Sequence, residues 1–133
     1  MSKPYIIKGE KYTDSRGIIC FNNSFSLAKI KRIYEIQNST TSIERGWKGH
    51  LIESRWFLCS KGEISIKIKQ IKPNDHTLFE KTAEYNLKEN SFDVLYVPPG
   101  YATLIKQKKR KSKLIAFSDH FIQDSEKEYR WKK

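Results

Sequence analysis

The sequence Arg-Gly-Trp-Lys-Gly-His-Leu-Ile-Glu-Ser-Arg-Trp-Phe occupies residues 45–57 and combines a strand-like pattern with reactive side chains. Residues two apart on a β-strand project from the same face, so Lys48 and His50 should point the same way, with Arg55 about one strand-length further on. An imidazole can exchange a proton near neutral pH, and lysine and arginine can hold a phosphate or a developing oxyanion. This combination suits an anionic ligand that undergoes proton transfer. The alternative is that Lys48 and His50 are simply solvated near the end of a strand.

Length and charge narrow the class of protein. The 133 residues predict one domain spanning residues 1–133. The formal net charge of +11 and the isoelectric point of about 9.7 favour an anionic partner, which could be a nucleotide or sugar phosphate, nucleic acid or an acidic surface. No apolar run approaches the roughly 20 residues of a membrane span, and residues 1–8 lack the apolar core of a signal peptide. We therefore expect a cytoplasmic protein without membrane contact.

Short apolar runs separated by turn residues predict an all-β sandwich or barrel with little helix. The clearest pattern is that of Ile64, Ile66 and Ile68, which alternate with polar residues and should face the core. The polar tail, residues 123–131, is expected to contain a short helix. Beyond the stretch above, the predicted strands are residues 5–7, 18–21, 30–36, 56–59, 63–71, 79–87, 94–97, 102–105 and 114–117.

Two other groups of residues are candidate sites. The run from Lys106 to Lys113 is the most basic segment and could contact nucleic acid. Its apolar flanking strands favour a solvated hairpin tip, and no aromatic residues are interleaved with it for base stacking, so we do not expect nucleic acid to be a partner. His120 follows Asp119, but adjacent residues on a strand point to opposite faces, so we do not expect these two side chains to pair.

Seven segments occur in the order found in a known group of proteins. They include Asp-Ser-Arg-Gly at 14–17, Arg-Gly-Trp-Lys-Gly-His at 45–50 and Tyr-Val-Pro-Pro-Gly-Tyr-Ala at 96–102. The other four lie at residues 30–34, 56–62, 117–119 and 129–131. With this set the chain resembles the nucleotide-sugar cupins, which comprise the WxcM-like dTDP-4-keto-6-deoxyhexose 3,4-ketoisomerases and the dTDP-4-dehydrorhamnose 3,5-epimerases.

The resemblance implies a single jelly-roll cupin domain, a homodimer whose N-terminal strands pair across the subunits, and a nucleotide-sugar substrate. It also implies isomerisation or epimerisation by proton transfer through an enediolate, as used in deoxysugar and polysaccharide biosynthesis, with no cofactor because the keto group acidifies its neighbouring C–H. The implied catalytic residues are His50 as the base or proton shuttle, Lys48 and Tyr34. The implied substrate-binding residues are Arg45, Arg55 and Tyr96.

The chain departs from this group at one important position. The ketoisomerases carry Arg-Gly-x-His-x-His, and the first of those histidines is Lys48 here. A protonated lysine has no lone pair for a metal, so we expect no metal. Its charge should keep His50 neutral, as a base must be. The acid that pairs with the epimerase histidine lies in a C-terminal segment that this sequence does not contain. A non-catalytic cupin that binds a nucleotide sugar or another anion therefore stays open as an alternative.

Overall fold

The computed structural model describes residues 2–124 and 128–133 and confirms the prediction of an all-β jelly roll. A single turn of 3-10 helix follows the eleventh strand, and no helix in the described residues is long and apolar enough to span a membrane. The strands are β1 (Tyr5–Ile7), β2 (Glu10–Asp14), β3 (Gly17–Phe21), β4 (Arg32–Ile36), β5 (Arg45–His50), β6 (Arg55–Lys61), β7 (Glu63–Ile71), β8 (Leu78–Lys88), β9 (Val94–Val97), β10 (Tyr101–Gln107), β11 (Lys113–Ser118) and β12 (Tyr129–Arg130).

Ten of the strands form two antiparallel sheets of five. The first sheet has the order β1-β9-β6-β11-β4, and the second has the order β12-β5-β10-β7-β8. Strands β2 and β3 form a separate hairpin. In this arrangement β5 and β6, which carry the stretch quoted above, belong to opposite sheets, so their side chains can converge on the space between the sheets.

The core fills the centre of the barrel. Ile64, Ile66 and Ile68 are buried as predicted, and they pack with Phe57 of β6 and Leu114 of β11 from the facing sheet. Burying a side chain of this size contributes roughly 1.5–3 kcal/mol to folding. The period-two pattern of β7 therefore fixes which face of the second sheet points inward and, through its pairing with β10, the orientation of the neighbouring strands.

The C-terminal tail begins with a short helical turn, in part as expected for residues 123–131, and also contains a strand. The only helical turn there, Ile122–Asp124, is 3-10, residues 125–127 lie outside the described residues, and Tyr129–Arg130 extends the second sheet by pairing with β5. The tail is held further along by Trp131, whose indole N–H donates to the carbonyl of His76 at 2.8 Å. The strand forms because β5 offers an edge whose backbone groups the tail can satisfy.

Candidate functional site

A cavity of about 320 Å³ opens between the two sheets and gathers most of the predicted site residues. Five of the six predicted residues line it: Tyr34 from β4, Arg45, Lys48 and His50 from β5, and Arg55 from β6. The other lining residues are Glu35, Ile36, Gln37, Phe57, Thr103, Ile105 and Glu128.

A bulge in β5 explains how Arg45 and Lys48, three residues apart, reach the same cavity. In the pairing with β10, Lys48 lies opposite Thr103 and Gly46 lies opposite Leu104, so Trp47 is the extra residue on β5. A bulge of this kind re-aims side chains next to it. Trp47 itself is buried in a second apolar cluster with Leu104, away from the main core.

Two glycines let β5 and β10 approach closely enough for this geometry. A Cβ at Gly46 would collide with the carbonyl oxygen of Thr103, and Gly46 also has φ of +132°, a conformation that side chains rarely adopt. A Cβ at Gly49 would lie 2.7 Å from the carbonyl oxygen of Tyr101. The Arg-Gly and Lys-Gly pairs of the sequence therefore place Arg45, Lys48 and His50 on the wall of the cavity.

The structure does not bring Tyr96 to the cavity. The two neighbours of Tyr96 on β9, Leu95 and Val97, point into the core, so Tyr96 faces outward. Its ring packs against the rings of Tyr5 and Trp56, with centroids 5.3 and 5.1 Å away. The sequence of β9 could not have excluded Tyr96, because the other three residues of the strand are all apolar and all buried, so no alternation marks the outward face.

Arg55 is the most deeply placed cation of the cavity and is only 5% exposed. Its guanidinium donates to Thr103 Oγ1 at 3.3 Å and to the carbonyl of Tyr101 at 3.4 Å, both long contacts, and its Nε has no hydrogen-bond partner among the described residues. Burial lowers the pKa of Arg55, although electrostatic interactions with Tyr34, Glu53 and Glu128 partly oppose this. A buried guanidinium with spare donors is well suited to bind an anionic ligand.

Tyr34 lies across the cavity from β5 as a protonated phenol. Burial raises its pKa above the ordinary value, and the positive charges of Arg55 and Arg32 lower it only in part. The Arg32 guanidinium lies 5.1 Å from the centre of the Tyr34 ring. Tyr34 can therefore donate a hydrogen bond or a proton into the cavity at neutral pH.

The other cations at the cavity are held by polar neighbours. Arg45 Nε donates to Asn38 Oδ1 at 3.1 Å, and Lys48 Nζ lies 4.0 Å from Glu128 Oε2. Glu128 is brought there by the pairing of β12 with β5. Lys48 thus faces a carboxylate from the C-terminal tail, a contact that the sequence did not suggest.

Glu53 is a buried residue of the site that the sequence prediction missed. One of its oxygens, Oε2, lies 3.2 Å from Nδ1 of His50, and the other, Oε1, accepts hydrogen bonds from Arg32 Nη2 at 3.0 Å and from the hydroxyl of Ser118. Glu53 is 1% exposed and His50 is 8% exposed. The only available signal was a carboxylate three residues after His50, and nothing in the sequence around it, which continues with Ser54 and Arg55, marked it as buried.

The expectation that His120 and Asp119 point apart was wrong. The two residues follow the last residue of β11, where the strand alternation no longer applies, and His120 Nδ1 lies 2.7 Å from Asp119 Oδ1. Asp119 Oδ1 also accepts a hydrogen bond from the backbone N–H of Ser54 at 3.0 Å. Neither side chain lines the cavity. Within the described ranges, no group of three or more His, Cys, Asp or Glu residues has a geometry that could hold a metal ion.

The fold is similar to that of sugar-nucleotide isomerases of known structure. A mutant of the 3,4-ketoisomerase QdtA from Thermoanaerobacterium thermosaccharolyticum, in complex with TDP-4-keto-6-deoxyglucose, superposes with a TM-score of 0.72 at 19% identity, covering 98% of this chain and 88% of that one. The TDP-quinovose 3,4-ketoisomerase WlaRB from Campylobacter jejuni gives 0.70 at 17% identity, covering 91% and 88%. The rmlC epimerase of Mycobacterium tuberculosis gives 0.75 at 16% identity, covering 96% and 68%.

At these identities the superpositions establish the fold alone, and no curated protein sequence matches the chain significantly. The sequence model described as "FdtA: WxcM-like, C-terminal" matches residues 2–131, almost the whole chain. The protein therefore belongs to the WxcM-like, C-terminal (FdtA) family.

Proposed function

We propose that the protein isomerises or epimerises a dTDP-4-keto-6-deoxyhexose by moving a proton through an enediolate. The keto group acidifies the adjacent C–H, and His50 removes that proton. The electron pair of the broken C–H bond moves to the carbonyl oxygen, and reprotonation at another carbon moves the carbonyl or inverts the centre. The family assignment, the deoxysugar nucleotides in the compared structures and the cavity itself support this proposal.

The proposed roles follow from depth and charge in the cavity. Arg55, buried and under-satisfied, stabilises the enediolate oxygen, and Tyr34 supplies or returns a proton as a neutral phenol. Arg45, which is more exposed, and Lys48 bind the diphosphate nearer the opening. No cofactor takes part in these steps, because the substrate's own carbonyl accepts the electron pair.

One observation carries the proposal: His50, a group able to exchange protons near neutral pH, lines the same cavity as the cations Arg45, Lys48 and Arg55. A solvated histidine at a strand end would be exposed, whereas His50 is buried at the cavity wall. This favours a site over the simpler reading of a solvated pair.

The test is an NMR incubation with dTDP-4-keto-6-deoxyglucose in deuterated water. We expect deuterium to enter the sugar at C3 or C5, and the position identifies the carbon from which the proton is taken. The enzyme-free reaction gives the background rate. If the nucleotide sugar binds but deuterium incorporation stays at background, the catalytic proposal is wrong.

The second candidate is a protein that binds a nucleotide sugar or another anion without turnover. The observation in its favour is Lys48, which replaces a histidine of the ketoisomerase pattern and faces Glu128 at 4.0 Å. Isothermal titration calorimetry with dTDP-sugar, combined with the exchange experiment, separates the two candidates, because this one predicts binding heat without exchange.

The N-terminal surface supports a homodimer. Six large apolar side chains of the first 33 residues are exposed: Tyr5, Tyr12, Ile18, Ile19, Leu27 and Ile33. A concentration of exposed apolar surface in one region marks an interaction site. Sedimentation at micromolar concentration should show a dimer that is weakened in Ile19→Asp and unchanged in Ile122→Asp, a control that is exposed outside this region. A monomeric wild type contradicts the proposal.

We place the proposed isomerisation or epimerisation in cytoplasmic deoxysugar synthesis for a polysaccharide.

A further inference from the structure

We propose that Glu53 is the positioning residue of His50: it holds a proton on Nδ1, so that the lone pair of Nε2 faces the cavity. The catalytic consequence rests on the proposed function, whereas the tautomer of His50 does not. In the neutral ring one nitrogen is a donor and the other an acceptor, so a carboxylate beside Nδ1 decides which nitrogen can act as the base.

The placement of Glu53 favours positioning over direct contact with substrate. Glu53 lies in the loop between β5 and β6 and does not line the cavity, whereas His50 does, so its carboxylate contacts the ring from outside the cavity lining. The Nδ1–Oε2 contact of 3.2 Å is close enough for an ion pair, but its geometry falls short of a hydrogen bond in this structure. Such contacts commonly tighten when substrate binds.

Glu53 is itself held in place by two strands of the opposite sheet. Arg32 of β4 and Ser118 of β11 both donate to Oε1, which leaves Oε2 directed at His50. Ser118 is completely buried, and its hydroxyl also accepts a hydrogen bond from the backbone N–H of His120 at 3.1 Å. A carboxylate fixed on one oxygen by residues 21 and 65 positions away in sequence has little freedom to turn, so the orientation of His50 is determined from outside the cavity.

The neighbouring chain reinforces this arrangement. The next residue, Ser54, makes two hydrogen bonds with Asp119: its N–H donates to the carboxylate oxygen Oδ1 at 3.0 Å, and its carbonyl accepts from the Asp119 N–H at 3.4 Å. The loop that follows His50 is therefore attached to the end of β11. This attachment turns the chain back so that a residue only three positions after His50 can reach its ring.

The carboxylate has a second consequence during the reaction. When Nε2 accepts a proton from the sugar carbon, the ring becomes an imidazolium, and the three cations that line the same cavity, Arg45, Lys48 and Arg55, oppose that charge. The negative charge of Glu53 lies closest to Nδ1 and compensates it. Glu53 thus lets a histidine act as a base in a cationic cavity without touching the substrate.

The first test is the ¹⁵N NMR spectrum of the His50 ring at a pH at which the ring is neutral. We expect wild type to show a protonated Nδ1 and an unprotonated Nε2. Glu53→Gln should give a mixture of the two tautomers, whereas Ser112→Ala, a control that removes a buried hydroxyl bonded to Glu63 and Lys109, should keep the wild-type pattern. A wild-type ring protonated on Nε2 overturns the proposal, and that measurement needs no variant, so it stands even if Glu53→Gln does not fold.

The second test measures deuterium exchange and nucleotide-sugar affinity in the same proteins. Glu53→Gln should lower the exchange rate on the order of 10²-fold while changing the affinity little, as expected when a carboxylate that sets a histidine tautomer is lost. An unchanged exchange rate in Glu53→Gln overturns the positioning role. If wild type shows the expected tautomer but no exchange, the proposed function fails while the structural assignment of Glu53 stands.

Discussion

The molecule has two concentrations of positive charge, and the fold gives them opposite environments. In the hairpin tip between β10 and β11, Lys108, Lys109, Arg110 and Lys111 are all exposed. In the cavity, Arg55 is 5% exposed and lies within a set of residues that also contains carboxylates and a histidine. The backbone of the hairpin is well satisfied, with Ser112 donating to the carbonyl of Lys109 at 2.7 Å, so the tip is an ordered turn with solvated side chains.

The comparison shows that burial, rather than the number of charges, determines how strongly cations act on a ligand. Exposed charges interact weakly because water and salt screen them, whereas the same charges in a low-dielectric cavity act strongly on a ligand and on one another. The net charge of +11 predicted an anionic partner but could not locate it, since the most basic run of the sequence is not the one that the structure buries.

The largest effect is expected from His50→Asn. The substitution removes the proposed base, so deuterium exchange at the sugar carbon should fall on the order of 10²-fold or more. Affinity for the nucleotide sugar should stay nearly constant, because Arg45, Lys48 and Arg55 are still present to bind the anionic groups. Exchange is measured by NMR and affinity by calorimetry.

His76→Asn is the matched control for that prediction. His76 is half-buried at a turn outside the cavity, and the contact that it offers to Trp131 comes from its backbone carbonyl. Its exchange rate should equal that of wild type. If His50→Asn exchanges as fast as wild type, the cavity is a binding site without turnover.

Much of the fold could be predicted from the sequence because period-two burial is a local property. Ile64, Ile66 and Ile68 face the core because β7 is buried on one face along most of its length. The pair Lys48 and His50 was found for the same reason, since two residues of one strand share a face. The resemblance implied a binding role for Arg45, but strand alternation alone could not place it beside Lys48, because that depends on the bulge at Trp47 in the pairing with β10.

Arg55→Met should lower the affinity for the ligand without lowering the free energy of unfolding. Loss of a charge-assisted hydrogen bond to the ligand costs about 1.5–3 kcal/mol, so affinity for the dTDP-sugar should fall roughly 10- to 100-fold. The free energy of unfolding in urea should stay level or rise by about 1 kcal/mol, because Met replaces an incompletely satisfied buried charge with an apolar chain of similar length.

Arg16→Met is the control, because Arg16 lies exposed in the β2–β3 turn and pairs with Asp14. It should leave affinity and stability close to wild type, as exposed ion pairs contribute about 0–1 kcal/mol. A large loss of stability in Arg55→Met, with affinity preserved, would instead mark Arg55 as a structural residue.

Lys48→His should raise the exchange rate by about 3- to 10-fold, because a second imidazole can carry a proton at neutral pH whereas a protonated lysine cannot accept one. The substitution also removes the contact between Lys48 and Glu128, which are 4.0 Å apart and both about one-third exposed. An ion pair of this kind contributes at most about 1 kcal/mol to stability. A fall in the rate would show that the charge of Lys48 itself stabilises the enediolate.

Glu53 shows why the complete site could not be predicted from the sequence. Its partners Arg32 and Ser118 are 21 and 65 residues away, and only the folded barrel brings β4 and β11 to the same oxygen. A local pattern shows that a carboxylate follows His50 by three residues, but whether it is buried and which ring it faces depend on how the loop turns. Tyr96 is a similar case, since the residues of β9 are all apolar or aromatic and only the packed sheet shows that Tyr96 faces outward.

The smallest effect is expected from replacing Lys108, Lys109, Arg110 and Lys111 together with glutamine. All four side chains are exposed, so the free energy of unfolding should change by no more than about 0.5 kcal/mol per site. The exchange rate with saturating substrate should not change, because none of the four lines the cavity. Removing four positive charges lowers long-range attraction, so the association rate of an anionic nucleotide sugar should fall at low salt and the difference should vanish as salt is raised. Stopped-flow binding at two ionic strengths measures this. A tenfold loss of affinity that persists at high salt would instead place the hairpin in direct contact with the ligand, and the distinction between solvated and buried charge would then no longer separate the two regions.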